Sequence, residues 1–154
     1  MIVVSDTSAI TSRLQIGRVE LLARIYGEVL IPSAVGRELA AFHTELPSFI
    51  CEVPVTNPSA CRDLLNMVDG GEAEAIVLAR ELKAEELLMD DAAGRRLATA
   101  EGLNVIGLLG VLLEAKALGL IPSLFDALDD LESKAGFYVS EPVRNLILRE
   151  AGEL

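Results

Sequence analysis

The chain has 154 residues, of which 51% are hydrophobic and 4% aromatic, and it contains no Trp. This length suits one domain of ordinary size, and the apolar content is sufficient for a core without disulfides. There are 13 Lys and Arg residues against 24 Asp and Glu, a formal net charge of −11. That balance argues against non-specific binding of duplex DNA and against docking on an anionic membrane surface. The low aromatic content argues against a broad stacking platform for single strands.

The cysteine content and the N-terminus indicate a compartment. Cys51 and Cys61 are the only cysteines, and they do not form a CxxC motif, so free thiols in a reducing cytoplasm are expected. The N-terminal segment has no basic region, and its apolar run is too short for a signal peptide. The most apolar stretch, residues 105–113, is far shorter than the roughly 20 residues that a membrane span requires. We therefore expect a soluble cytoplasmic protein without membrane contact.

Short apolar runs predict the strands of a sheet. Such runs, bounded by polar or turn residues, are typical of strands buried on both faces of a parallel sheet. Four stand out: Ile2–Val4, Val29–Ile31, Leu87–Met89 and Asn104–Ile106. A fifth candidate at 49–55 is ambiguous, because the surrounding prolines also suit an extended connection.

Helical patterns lie between these runs. The segment 7–26 predicts two short helices broken at Gly17, and Pro32 can occupy the first turn of a helix that ends near Phe42. Asp69 can cap an Ala-rich helix over 71–82, and Asp91 can cap a helix that stops at Gly102. A further helix is predicted over 108–118, followed by one or two helices in an acidic tail from Ser123 onward. The alternation of strands and helices predicts a doubly wound α/β sandwich.

Carboxylates collect where the predicted strands end, which is where open parallel sheets bind ligands. Six residues are involved: Asp6, Glu38, Glu72, Glu74, Asp90 and Asp91. Clustered carboxylates repel one another, and a divalent cation with a preference for oxygen ligands, Mg²⁺ or Mn²⁺, is the natural compensation. A single His, at position 43, argues against a zinc site. An all-carboxylate site suits phosphodiester cleavage, since the metal activates a water and offsets developing charge.

Each acidic residue also has a simpler interpretation. Asp6 and Asp91 can serve only as helix caps, and Glu38 can be a solvated surface residue. Glu72 and Glu74 are two positions apart and do not face each other on a regular helix. Both reach one pocket only if Glu72 lies where the helix begins. Capping does not explain why four separate elements bring acids to one edge of the sheet.

Several motifs follow one another in a fixed order over about residues 1–122. They are Val3–Ser8, Val29–Pro32 with Glu38, Gly71–Ile76, Leu87–Asp91 followed by Arg95 and Arg96, Val105–Gly107, Leu113–Lys116 and Gly119–Ile121. This ordered set resembles PIN-domain proteins, and more specifically a small prokaryotic PIN-like group of unknown function with toxin-like relatives.

The resemblance implies a PIN-like three-layer α/β/α sandwich with a central, mostly parallel sheet of four to five strands. One domain is expected over 1–154, with a core at about 1–122 and a C-terminal helical extension at 123–154. The implied activity is that of a Mg²⁺- or Mn²⁺-dependent endoribonuclease, as in toxins of the VapBC type. The residues that match the catalytic acids of the family are Asp6, Glu38, Glu74 and Asp91.

The resemblance also implies supporting groups around these acids. Glu72 and Asp90 are additional candidate metal ligands, because the Glu-Ala-Glu-Ala segment resembles the paired ligands of flap endonucleases. Thr7 or Ser8 matches a hydroxyl that supports the metal site. Candidate contacts to the substrate phosphate are Arg95, Arg96 and Arg13, with Arg18, Arg37 and Lys116 as further basic residues. The family's toxins usually carry a clearer basic surface than this acidic chain.

The leading hypothesis is the toxin of a toxin–antitoxin pair, with RNA as substrate, a small antitoxin protein as partner and a homodimer as the assembly. The segment 137–154 is an antitoxin groove, a dimer element or simply core. The alternative is a catalytically inactive PIN-like module that binds nucleic acid or protein, which the charge of −11 favours. A phosphotransfer receiver is disfavoured, because Gly107, not a lysine, follows the late strand.

Overall fold

The computed structural model describes all 154 residues and contains a five-stranded sheet in the order β3-β2-β1-β4-β5. Every pair of neighbouring strands is parallel. The strands are β1 (Val3–Ser5), β2 (Val29–Ile31), β3 (Ile50–Glu52), β4 (Glu86–Leu88) and β5 (Val105–Ile106). The predicted α/β class is confirmed, and the ambiguous segment at 49–55 does contain a strand.

The strand order places β1 at the centre of the sheet. Val4 is in register with Leu30 of β2 on one side and with Leu87 of β4 on the other. The order of strands along the chain reverses between β1 and β4. In open parallel sheets this reversal leaves a crevice at the carboxyl ends of the two strands, where ligands bind. Asp6 directly follows β1, so the topology places it beside this crevice.

Nine helices flank the sheet, and none of them has the length and apolar character needed to cross a membrane. They are α1 (Thr7–Gln15), α2 (Glu20–Tyr26), α3 (Ser33–Phe42), α4 (Pro58–Leu64), α5 (Gly70–Leu82), α6 (Ala92–Ala100), α7 (Leu108–Ala117), α8 (Leu124–Ala135) and α9 (Glu141–Glu150). The predicted break at Gly17 separates α1 from α2, and its φ of +70° is one that glycine adopts readily.

Two local features differ from the sequence-based expectation. The helix α4 begins at Pro58, beyond the ambiguous 49–55 segment, and no element was predicted over its residues. Its signal is local: the Asn57 side chain accepts a hydrogen bond from the Ala60 N–H, and Pro58 occupies the first turn. Pro32 lies just before α3, at the capping position, and not within its first turn.

The core consists of three apolar clusters arranged around the sheet. Val3 packs in a cluster with α1, α2 and α3, while Val4 packs in a second cluster built mainly on α5. Successive strand residues point to opposite faces, so these two clusters lie on opposite sides of the sheet. The third cluster joins α7 to α8 and α9, including Ile147 and Leu148 of the C-terminal helix. The tail therefore packs on the rest of the fold, and one domain over 1–154 stays a prediction.

Candidate active site

A cleft of about 580 Å³ opens at the carboxyl end of β1. Three of the predicted carboxylates, Asp6, Glu38 and Glu72, line it. The predicted supporting hydroxyls of Thr7 and Ser8 line it as well. The central strand, α3 and the start of α5 thus bring their acids to one place, as the positions of the strand ends predict.

Asp6 anchors the cleft to the sheet. Its backbone N–H donates to the Leu88 carbonyl at 3.0 Å, which extends the pairing of β1 with β4 by one residue. Its Oδ1 accepts a hydrogen bond from the Ala9 N–H at 3.1 Å, and the Ser8 hydroxyl lies 3.4 Å from both carboxylate oxygens. Asp6 therefore caps α1 and also lines the cleft, so capping does not prevent it from serving a site there.

The environment of Asp6 disfavours its charged form. Burial raises the pKa of its carboxyl to about 7, and the charges of Asp90 and Glu72 add to the rise, against the Ala9 N–H, which lowers it. A buried acid with a perturbed pKa in a cleft is more common at functional sites than elsewhere in proteins. The carboxylate of Asp6 therefore gains from a nearby cation more than a solvated aspartate would.

Glu38 enters the cleft from the middle of α3. The Thr7 hydroxyl donates a hydrogen bond to its Oε2. A Cβ atom built on Gly71 would lie 2.7 Å from Oε1 of Glu38, closer than real contacts allow. Glycine at this position leaves room for the Glu38 carboxylate against the first turn of α5, and a larger residue would displace that carboxylate. The Gly-Gly pair is visible in the sequence, but the close approach of the Glu38 carboxylate to Gly71 is visible only in the structure.

Glu72 lies in the first turn of α5. The sequence predicts that Glu72 can reach the site only from the beginning of this helix. Its backbone N–H donates to Asp69 Oδ1 at 2.8 Å, and its Oε2 accepts from the Asp69 N–H at 3.3 Å. This reciprocal pair is a capping box, and it also confirms Asp69 as the helix cap. Burial raises the pKa of Glu72, and the charges of Asp69, Asp91 and Glu38 also raise it.

Glu74 does not line this cleft. Its Oε1 accepts a hydrogen bond from the Ala34 N–H at 3.0 Å, and its Oε2 lies 3.9 Å from an Arg37 nitrogen. Its carboxylate thus satisfies the N-terminus of α3, where a negative charge is favourable. The regular geometry of α5 explains the difference from the sequence-based expectation, since side chains two positions apart point in different directions.

Asp90 and Asp91 flank the cleft without lining it. Asp91 is exposed and caps α6 through a hydrogen bond from the Gly94 N–H at 2.8 Å. Asp90 Oδ1 accepts from the Leu108 N–H at 2.6 Å, and its Oδ2 is buried without a hydrogen-bond partner. Their charges still influence the cleft, because Asp90 raises the pKa of Asp6 and Asp91 raises that of Glu72.

The predicted phosphate contacts divide into two groups. Arg95 and Arg96 are exposed on α6, so both can meet a substrate. Arg13 is fully buried, and its Nη1 donates to the Ala9 carbonyl. Arg13 lies one turn from Ala9 and Ile10, on the stripe of α1 that faces the core. The expectation that it contacts substrate phosphate is therefore wrong.

The chemistry of the cleft fits a hard divalent cation, although its side chains are not arranged around one. As positioned, no group of three or more Asp, Glu, His or Cys side chains could hold a metal ion. Glu38 is engaged by Thr7 and Glu72 by Asp69. The cleft nevertheless offers only oxygen donors from carboxylates and hydroxyls at this end, which Mg²⁺ and Mn²⁺ prefer. Asp6, Glu38 and Glu72 are the residues that fit, with rotation of the two glutamates.

Comparison with known proteins gives one match. A family model described as a PIN domain matches residues 2–153, a range that includes all five strands and all nine helices. No curated protein and no solved structure matches the chain. PIN domains are a nuclease-type fold in general. The match covers nearly the whole sequence, and the parallel sheet agrees with it, so the chain belongs to the PIN-domain family.

Proposed function

We propose that this protein is a metal-dependent endoribonuclease that hydrolyses RNA phosphodiesters with Mg²⁺ or Mn²⁺. One observation carries the proposal: a buried aspartate at the topological switch point, Asp6, shares a cleft with Glu38 and Glu72. A structural cluster of acids would be solvated or paired with bases. Burial raises the pKa of Asp6 and of Glu72, and neighbouring carboxylates raise both further, which is costly unless a cation compensates their charge.

The cleft residues have distinct roles in this proposal. Asp6, Glu38 and Glu72 hold the cation, and Thr7 fixes the orientation of Glu38 through its hydroxyl. When bound, such a cation lowers the pKa of a water and offsets charge that develops on the phosphate and the leaving oxygen. Arg95 and Arg96 contact flanking phosphates. Asp90 and Asp91 strengthen the negative potential that attracts the cation.

The central test is the dependence of RNA cleavage on Mn²⁺ and on Asp6. A fluorescently labelled single-stranded RNA is incubated with the wild type, with Asp6→Asn and with Asp63→Asn, which removes an exposed acid of α4. We expect Mn²⁺-dependent cleavage by the wild type and Asp63→Asn, and a loss of about a hundredfold or more for Asp6→Asn. No Mn²⁺-dependent cleavage by the wild type, or equal rates for all three proteins, contradicts the proposal.

Glu72 and Glu74 form a matched pair that tests which acid of α5 serves the cation. We expect Glu72→Gln to weaken Mn²⁺ binding by about tenfold or more, because the site loses a charged ligand. Glu74→Gln is expected to leave Mn²⁺ affinity nearly unchanged and to lower the free energy of unfolding by about 1 kcal/mol, through the weakened cap of α3. Calorimetric titration measures the Mn²⁺ affinity of each variant, and urea unfolding measures its free energy of unfolding. A loss of Mn²⁺ affinity in Glu74→Gln but not in Glu72→Gln would instead make Glu74 the metal ligand, as its match to the family motif predicts.

A second candidate function is a regulatory module that binds nucleic acid or protein without cutting. Two observations favour it: the net charge of −11 and the side chains of the acids, which are turned to protein partners instead of around a cation. A titration with Mn²⁺ separates the candidates. Binding that Asp6→Asn abolishes supports the nuclease, and the absence of measurable Mn²⁺ affinity in the wild type supports the module.

We further propose a cytoplasmic toxin of a toxin–antitoxin pair, on the basis of the PIN-like resemblance. A homodimer and a small antitoxin partner belong to this proposal. The segment 137–154 supports an interface, because Tyr138, Val143 and Leu146 remain exposed there. A small open reading frame beside the gene whose product binds this protein and suppresses its cleavage of RNA would support the toxin. A monomer at all concentrations in light scattering would contradict the homodimer.

A further inference from the structure

The cleft extends beyond its carboxylates along a wall formed by α1. Thr7, Thr11 and Gln15 all line it. These residues are four positions apart and therefore lie on one face of the helix. With a rise of about 1.5 Å per residue, the row from Thr7 to Gln15 extends about 12 Å away from Asp6. The wall is polar and carries no charge.

The facing wall comes from α3, which packs against α1. Glu38 and Phe42 lie one turn apart on it, and both line the cleft. Phe42 is 80% exposed, the most exposed large hydrophobic side chain of the chain. His43, which ends α3, also lines the cleft, and its Nε2 is buried without a hydrogen-bond partner. The far end of the cleft thus combines an aromatic face, an amide and an unsatisfied imidazole nitrogen.

We propose that Phe42, Gln15 and His43 form a nucleobase subsite for single-stranded RNA. The base stacks on Phe42, and its polar edge exchanges hydrogen bonds with Gln15 and with His43, whose ring must turn outward because its Nε2 is buried in the free protein. This inference rests on the proposed ribonuclease function and extends it to how the substrate is held. Aromatic side chains stack on unpaired bases of any sequence, and neighbouring polar groups read the base edge.

The spacing of the two ends suits one strand of RNA. Glu38 and Phe42 are separated by about 6 Å along α3, from the rise of the helix. A stacked strand advances by about 3.4 Å per nucleotide. When a phosphate is held at the carboxylate end of the cleft, a base about two nucleotides further along the strand can therefore reach Phe42. A duplex cannot use the subsite, because its bases are already stacked and paired.

The charge distribution also favours a base at this end. The carboxylates of Asp6, Glu38 and Glu72 repel phosphate unless a cation is present, and the acidic chain offers little general attraction for RNA. Affinity must then come from contacts that do not depend on charge. Stacking on Phe42 provides such a contact, and a membrane or an acidic peptide would gain nothing from the polar groups around it.

Binding of short RNA tests the subsite separately from catalysis. Labelled ten-nucleotide single-stranded RNAs are titrated with protein in Ca²⁺, with a gel to verify that the RNA stays intact, and binding is followed by fluorescence anisotropy. We expect Phe42→Ala to weaken binding about tenfold, and Phe42→Tyr, which keeps the aromatic face, to stay within about twofold of the wild type. Phe125→Ala removes a half-exposed ring of α8 and is the matched control, with unchanged affinity expected.

A second measurement tests base reading. Gln15→Ala is expected to reduce the spread of affinities among the four homopolymer RNAs, because the amide that distinguishes base edges is lost. A 2-aminopurine placed next to the cleaved bond is expected to lose fluorescence on binding to the wild type and to retain it with Phe42→Ala. In an active enzyme, Phe42→Ala is expected to raise KM about tenfold and to leave kcat nearly unchanged.

Several outcomes would overturn the subsite. They are equal affinities of wild type and Phe42→Ala, equal losses in Phe42→Ala and Phe125→Ala, and no RNA binding by the wild type. Unchanged affinity would assign the exposed ring to a protein interface instead. If the wild type binds RNA through Phe42 but does not cleave it with Mn²⁺, the ribonuclease proposal fails while the subsite stands. If the wild type and Phe42→Ala cleave RNA equally well with Mn²⁺, the subsite fails while the ribonuclease proposal stands.

Discussion

Replacing Arg13 with methionine is expected to lower the free energy of unfolding by about 3 kcal/mol, because Asp90 would lose the buried cation that offsets its charge. Arg13 is completely buried, and its Nε and Nη2 have no hydrogen-bond partners. Burial lowers the pKa of its guanidinium to about 10, and Asp90 is the largest charge that opposes this lowering. Arg13 is therefore still protonated at neutral pH, as an internal cation below the acidic cleft.

Asp90 is the reason to expect a loss and not a gain from this replacement. An apolar side chain in place of a poorly paired buried charge often stabilises a protein. Here the Asp90 carboxylate also has a buried oxygen without a partner, and it would lose the favourable charge of Arg13, the one fully buried cation of the chain. No direct ion pair joins the two groups, so the lower part of the known range of effects is expected.

A double-mutant cycle tests this coupling. Asp90→Asn keeps the oxygen that accepts from the Leu108 N–H and removes the charge. We expect Arg13→Met combined with Asp90→Asn to be more stable than Arg13→Met alone, with a coupling energy of about 1–2 kcal/mol in urea unfolding. Equal stabilities of the wild type and Arg13→Met, or strictly additive effects of the two changes, would show that Arg13 does not balance Asp90.

The same residue shows where sequence reasoning failed. The pattern of strands and helices was readable because apolar runs and helix caps are local signals. The burial of Arg13 follows from its position on the stripe of α1 that begins with Ala9 and Ile10, and arginine is so seldom buried that its residue type outweighed its position. The helix α4 was not predicted, because the sequence suggests that Pro58 is one of the prolines of an extended connection, although it stands in the first turn of a helix, where proline is favoured.

The site was predictable to the extent that strand ends dictate it. Asp6 follows the central strand β1, and Glu38 lies on α3, the helix that follows the neighbouring strand β2. The topology alone therefore brings the two acids together. The separation of Glu72 from Glu74 depends on where α5 begins, and Asp69 decides this through the capping box. The role of Phe42 was beyond the sequence, because an exposed ring and a core ring look alike until the packing of α1 on α3 is known.

Replacing Asp6 with asparagine is expected to stabilise the metal-free protein at alkaline pH. The pKa of Asp6 rises from 3.8 to about 7, mainly through burial. The folded state therefore holds this proton more tightly than the unfolded state, and the contribution is fully present below pH 3.8 and lost as the pH rises through about 7. A difference of about three pKa units corresponds to about 4 kcal/mol at most.

Asparagine removes this penalty because it keeps an oxygen to cap α1 and carries no charge. In EDTA we expect Asp6→Asn and the wild type to be equally stable at about pH 4, with the variant more stable by about 2–4 kcal/mol at pH 8. Urea unfolding at both pH values measures the difference. Asp63→Asn, with its exposed carboxyl on α4, controls for the general loss of one negative charge.

A divalent cation is expected to offset most of this difference. Mn²⁺ at a hundred times its dissociation constant stabilises the protein that binds it by about 2.7 kcal/mol. The wild type binds through the ionised Asp6 carboxylate and gains this stability at pH 8, whereas Asp6→Asn does not. The stability that the chain loses by ionising a buried acid is thus largely recovered from the cation. A constant difference between the two proteins across pH, or equal stabilisation of both by Mn²⁺, would mean that Asp6 is a buried helix cap and nothing more.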